Sequence, residues 1–171
     1  LGDVYKRQGQ VSRLERHVET FSTGPFDPER ELRQLEDAVR TAQSELDCMA
    51  ERAASTEQAI LQFQSMMLDD EGMMNEVRFC IKAGISAAAA MDKVGQRYAD
   101  QLANMKDNPY MQLRSVDILD ATSRVINILG NRPRMWLALD HPVILAADRL
   151  MPTDLFSVPS GMILGVVTTE G

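Results

Sequence analysis

Apolar residues recur at alternating spacings of three and four from Leu32 through Leu35, Val39, Ala42, Leu46 and Met49. That period marks one face of a helix packed against another helix. The segment also carries its own start. Asp27 suits the N-cap, Pro28 the first helical position, and Glu29 and Glu31 the positive end of the helix dipole. A second helix follows, with Ser55 and Gln58 placed as a capping box and Ile60, Phe63, Met66 and Met67 as its apolar residues. Asp69-Asp70-Glu71 breaks the run and opens a third helix through Met73, Val77, Cys80 and Ile81, which Gly84 ends. A fourth begins near Ser86 and carries Ala87, Met91, Val94, Tyr98, Leu102 and Met105. Asn108-Pro109 repeats the cap-plus-proline start for a fifth, with Leu113, Ala121, Val125 and Ile128 before a stop at Gly130.

The flanks have another texture. Residues 9–25 read as a strand followed by a linker with Ser-Thr-Gly-Pro turn chemistry. Pro142–Ala147 and Met162–Val167 are short continuous apolar runs, expected of strands buried on both faces. Met151-Pro152-Thr153-Asp154 between them opens a short helix, giving a parallel strand–helix–strand unit. Gly161 and Gly165 are too sparse for a phosphate-cradling loop and read as packing glycines. The fold expected is mostly α: an antiparallel helical bundle over residues 26–132, flanked by incomplete α/β segments at 9–25 and 133–171, which the family resemblance given below joins into one subdomain with the bundle inserted in it. Residues 1–8 include DVYKRQ, which resembles a translated adapter scar and is left out of the fold expectation.

Composition narrows the function. A formal charge of -7 over 171 residues disfavours nucleic acid and anionic membranes as partners. No apolar run approaches the ~20 residues of a membrane span. Cys48 and Cys80 fit no metal spacing and read as reduced thiols in helix cores, consistent with the cytoplasm. His17 and His141 stand alone, and no nucleophile triad or metal cluster is visible, so no catalytic, cofactor-binding or metal-binding residue is assigned.

Three segments together carry a family resemblance. Ala59–Glu71 resembles a helix–turn–helix signature in which an apolar helix runs through Met and Leu into an acidic turn. Tyr110–Asp120, with Arg124 and Ile128-Leu129-Gly130, is similar to a Tyr-Leu-x-x-Arg-Ala-x-Asp-x-x-Asp stretch. Pro142–Asp154 looks like a strand followed by a "DLTPSD" segment. In this order and spacing they resemble the amino-terminal region of enzyme I of the phosphoenolpyruvate-dependent sugar phosphotransferase system, from about residue 27 onward.

The resemblance implies a helical subdomain that docks HPr, the small histidine-containing phosphocarrier, inserted in a swivelling phosphohistidine subdomain. It implies partner-binding roles for Ala59, Met66, Met67, Glu71, Met73 and Arg114, supported by Gln64 and Asp117. Gln64 stands where many family members have a histidine near the HPr surface. The phospho-accepting histidine is expected beyond Gly171, so the chain as given is expected to be inactive. The resemblance assigns phosphoenolpyruvate, Mg²⁺ and dimerisation to later domains of the full-length enzyme. Two other readings stay open: a non-catalytic helical interaction module, and another phosphoenolpyruvate-utilising enzyme.

Overall fold

The computed structural model describes residues 10–14, 25–131, 141–147, 151, 158 and 161–169. His17 and most of the short helix expected from Met151 lie outside the described residues. The chain is mostly α-helical and divides into two compact units. One is formed by Leu1–His17 with Pro133–Gly171, and the segment between them, Val18–Arg132, is the other.

In the first unit, β1 (Gln10–Leu14), β2 (Val143–Ala147) and β3 (Ile163–Thr168) form a parallel sheet in the order β1-β2-β3. Gln10 pairs with Val143, and Val143 with Ile163. The central strand β2 buries Val143, Leu145 and Ala147 on one face. β3 departs from expectation, because Val166 and Val167 are exposed. A short apolar run does not by itself distinguish a central strand from one at the margin of a sheet. Gly161 is also no packing glycine: its φ of +89° is a conformation that side chains resist, and a Cβ there would meet nothing. A Cβ at Gly165 would likewise meet open space.

The second unit holds α1 (Pro28–Ala50), α2 (Ser55–Leu68), α3 (Glu71–Lys82), α4 (Ala87–Ala103) and α5 (Pro109–Leu129). The caps explain most of these limits. Glu29 N–H donates to Asp27 Oδ1 at 3.0 Å, Met73 N–H to Asp70 Oδ1 at 2.7 Å and Met111 N–H to Asn108 Oδ1 at 3.2 Å. α2 starts one residue before the expected box. Ala54 is its N-cap, and the Ala54 N–H donates to Glu57 Oε2. α3 ends as Gly84 allows, with φ +96° there, and the Gly84 and Ile85 N–H groups bond back to Ile81 and Cys80 carbonyls. At the end of α5 the left-handed residue is Asn131, not Gly130.

The α1 seam packs inward: Leu35, Val39, Ala42 and Leu46 are buried. Burial of each larger side chain contributes roughly 1.5–3 kcal/mol before entropy. Glu31 on the same face reaches across to α4, accepting from the Ala87 N–H at 2.8 Å. α4 and α5 approach closely at Gly95, where a Cβ would come within 2.6 Å of Thr122 Cγ2.

Two apolar faces differ from the pattern. α2 buries Leu61, Gln64 and Leu68, while Met66 is 60% exposed. A polar residue takes a core position there because it has a buried partner: Gln64 Nε2 donates to Asp120 Oδ2 at 3.1 Å. On α5, Leu113 is 75% exposed. It shares a row with the buried Asp117, Asp120 and Arg124 but lies one turn nearer the start of α5. Cys48 is exposed rather than in a core.

Candidate functional site

The helical unit gathers its distinctive chemistry where α2 meets the first turns of α5. Asn108 and Pro109 start α5, and the helix then presents Tyr110, Leu113, Arg114 and Asp117 within two turns. Arg114 is the hub. One terminal nitrogen donates to Asp117 Oδ2 at 2.9 Å and the other to the Tyr110 hydroxyl at 2.7 Å. The guanidinium also lies over two rings, 4.8 Å from the Tyr110 centroid and 5.2 Å from that of Phe63 on α2. Such cation–π contacts strengthen as the cation loses water. Only 12% of the Arg114 side chain is exposed, and 7% of Asp117.

The pair is not symmetrical in its electrostatics. Loss of water pushes the Asp117 carboxyl above the usual aspartate range; Arg114 pulls it down without cancelling that, and Asp120 adds to the rise. For Arg114, burial works against the charge, but the hydrogen bonds to Asp117 and Tyr110 outweigh it, and the group is held above its ordinary value. The Arg114 cation is therefore secured by its neighbours, while Asp117 gives up more hydration than the pair returns.

Deeper along α5, Arg124 donates to Glu45 Oε2 on α1 at 2.9 Å. Asp117, Asp120 and Arg124 lie on one row of α5 and are all buried. Leu113 belongs to the same row, four residues before Asp117, and emerges into solvent.

The residues that resemblance assigned to partner binding separate into three groups. Ala59, Met66 and Glu71 are exposed, and Met67 is half-buried. Arg114, Gln64 and Asp117 are covered, acting through hydrogen bonds at or below the α2–α5 junction. Met73 is fully buried, so it offers no surface; its backbone N–H is held by Asp70, which turns the side chain into the core. Sequence reading did not single out Phe63 and Tyr110 as site residues. The spacing of Tyr110 and Arg114, four apart on one helix face, was the available signal.

The acidic turn lies beside this surface in the chain, with Asp69, Asp70 and Glu71 all exposed. A groove of about 410 Å³ along α1 and α3 mixes Arg40 and Arg78 with Glu36, Asp69 and Glu71, so it favours neither sign of ligand. Among the described residues no group of three or more His, Cys, Asp or Glu could hold a metal ion. No helix among them is long and apolar enough to cross a membrane.

Residues 1–114 match the family described as "PEP-utilising enzyme, N-terminal", and the chain belongs to that family. Among curated proteins it is similar to phosphoenolpyruvate-protein phosphotransferase of Lactococcus lactis subsp. lactis (strain IL1403), 31% identical over 151 residues. That match covers 85% of this chain and 26% of the relative. The Rhodobacter capsulatus multiphosphoryl transfer protein is 31% identical over 169 residues, covering 94% of this chain and 20% of the relative. The chain thus spans about a quarter or less of these relatives' length. Among solved structures it resembles an N-terminal domain of "Enzyme 1 - Nitrogen", with TM-score 0.70 and 25% identity over 95% of this chain and 69% of that one. A solution structure of enzyme I gives TM-score 0.71 at 22% identity, over 94% of this chain and 68% of that one, a likeness of fold.

Proposed function

We propose that the helical unit, residues 26–132, is the HPr-docking region of a phosphoenolpyruvate-protein phosphotransferase. The observation that carries this reading is the exposed apolar patch of α2, Ala59 and Met66 with half-buried Met67, running in sequence into the exposed acids Asp69, Asp70 and Glu71. Flexible methionines adapt to a partner's apolar patch. The acids select a partner with a basic rim and steer its approach. Glu71 is the acid assigned to that rim. Gln64, Asp117 and Arg114 shape the surface from beneath.

Phosphoryl transfer belongs, in this reading, to the whole enzyme. It needs an imidazole in line with the phosphate and groups that neutralise the moving charge. His141 is exposed just before β2, and neither it nor His17 has flanking glycines and hydroxyls to present it. The chain alone therefore takes no phosphate from phosphoenolpyruvate. The accepting histidine, the phosphoenolpyruvate site with its charge-neutralising Mg²⁺, and the dimer contact are assigned to other parts of the enzyme, which works in the cytoplasm.

Calorimetric titration of the chain with HPr tests the docking role. Met66→Asp or Met67→Asp is expected to weaken binding at least about tenfold. No binding by the unaltered chain refutes it.

A further inference from the structure

Two polar atoms of the helical unit are buried without a hydrogen-bond partner among the described residues: Gln64 Oε1 and Arg124 Nε. Gln64 is 0% exposed and Arg124 5%, so bulk solvent reaches neither. Folded proteins rarely leave such atoms unsatisfied. The two are complementary, because an amide oxygen only accepts and a guanidinium N–H only donates. They also share a neighbour. Gln64 Nε2 donates to Asp120 Oδ2 at 3.1 Å. Asp120 and Arg124 stand four apart on the buried row of α5, and helical side chains lean back over the preceding turn, so the Arg124 stem leaves the helix on the Asp120 side. Neither group can satisfy itself by turning. A flipped Gln64 amide sets its oxygen against the oxygens of the Asp120 carboxylate. A rotated guanidinium gives up its contacts to α1, at 2.9 Å to Glu45 Oε2 and 3.7 Å to Met49 Sδ.

We infer that one buried water bridges Arg124 Nε to Gln64 Oε1 and completes the polar junction of α1, α2 and α5. The bridging molecule must accept from the first atom and donate to the second. Arg124 repels a cation there, and the adjacent Asp120 carboxylate repels an anion. A neutral donor–acceptor remains, and the depth of the site selects the smallest one. Its two hydrogen bonds of about 2.9 Å span about 5–6 Å, the spacing of neighbours one turn apart on a helix. Two polar partners suffice to hold such a water. The bridge carries the hold of α2 on Asp120 onward to Arg124, and through Glu45 to α1. It stands apart from the docking reading, and no partner enters its test.

The test uses the 171-residue chain, labelled with nitrogen-15, and reads magnetisation transfer from water at the Gln64 side-chain amide and at Arg124 Nε–H. Both groups should show NOE and ROE signals of opposite sign, the mark of a water that tumbles with the protein. A crystal structure should place one water within hydrogen-bond distance of Gln64 Oε1 and Arg124 Nε. Gln64→Met keeps the length of the side chain and removes the acceptor, and it should abolish the water signal at Arg124 Nε–H. Persistence of that signal in Gln64→Met overturns the bridge, since Arg124 would then hold the water unaided. Absence of the signal from either group of the unaltered chain overturns it as well. So does a crystal structure in which Arg124 Nε donates directly to Gln64 Oε1 or to another protein oxygen. The readings on the unaltered chain decide the matter even where Gln64→Met fails to fold.

Discussion

Glu31→Ala should destabilise the helical unit by about 2–3 kcal/mol. Glu31 lies in the first turn of α1, is 6% exposed, and accepts from the Ala87 N–H of α4 at 2.8 Å. Ala87 is itself 1% exposed, so water cannot replace the lost acceptor. An unsatisfied buried N–H costs about 1–3 kcal/mol. Loss of a negative charge at the positive end of the α4 dipole adds about 0.3–1 kcal/mol. Ser86 softens the change little, because its hydroxyl serves Ala89 N–H at 3.4 Å, a different donor. Glu31→Gln keeps an acceptor and should cost under about 1 kcal/mol. Arg30→Ala is the control: it removes the 3.8 Å approach to Glu31 along with a hydrogen bond to the Pro25 carbonyl, from a half-exposed side chain whose ion pair contributes about 0–1 kcal/mol. Urea unfolding followed by helical circular dichroism measures all three, provided the slope is unchanged between variants. A loss below about 0.5 kcal/mol for Glu31→Ala, or equal losses for the Ala and Gln variants, would refute the view that α1 caps α4.

Gly95→Ala should cost about 1–3 kcal/mol by the same measurement, because the new methyl meets Thr122 Cγ2 at 2.6 Å. Thr122 cannot turn away cheaply, since its hydroxyl is bonded to the Ile118 and Leu119 carbonyls; Thr122→Ala in the same chain should recover part of the loss. Asp117→Asn should change the pH profile of stability. The raised folded pKa means Asp117 adds stability that is full below its unfolded value near 3.8 and is lost as pH rises through the folded value. The unaltered chain should therefore gain stability relative to Asp117→Asn as pH falls, and a loss relative to it would contradict the burial argument.

Helix starts were legible because they are local. Asp27-Pro28 and Asn108-Pro109 announce themselves in two residues, and both cap the helices they precede. The α1 seam was legible because its period is sustained over several turns. What the sequence hid were positions decided by a distant partner. Gln64 reads as a polar surface residue until Asp120, on another helix, gives it a buried hydrogen bond. Leu113 reads as core, yet α5 begins before the neighbouring helices can cover it. Met73 was placed at the surface by resemblance, and the Asp70 cap sends it inward. For the proposed site, the acidic turn and the α2 methionines were named by family resemblance, since charge alone also fits a solvated turn. The clasp of Arg114 by Tyr110 and Phe63 depends on the packing of α2 against α5, which spacing along the chain does not specify.

The pairing of β1 with β2 has a kinetic consequence. Gln10 meets Val143, so forming the first ladder of the sheet closes a loop that contains all five described helices. Closing so long a loop in a fully unfolded chain loses more entropy than a hairpin does, although the loss grows only logarithmically with length. The helices suffer no such delay, since α2–α3 and α3–α4 join neighbouring segments through short turns. Prior collapse of Val18–Arg132 shortens the effective loop that the strands must close. On a ribosome the order is stricter still: all five described helices are synthesised before Val143 emerges, so β1 must wait for its partner while the helical unit folds.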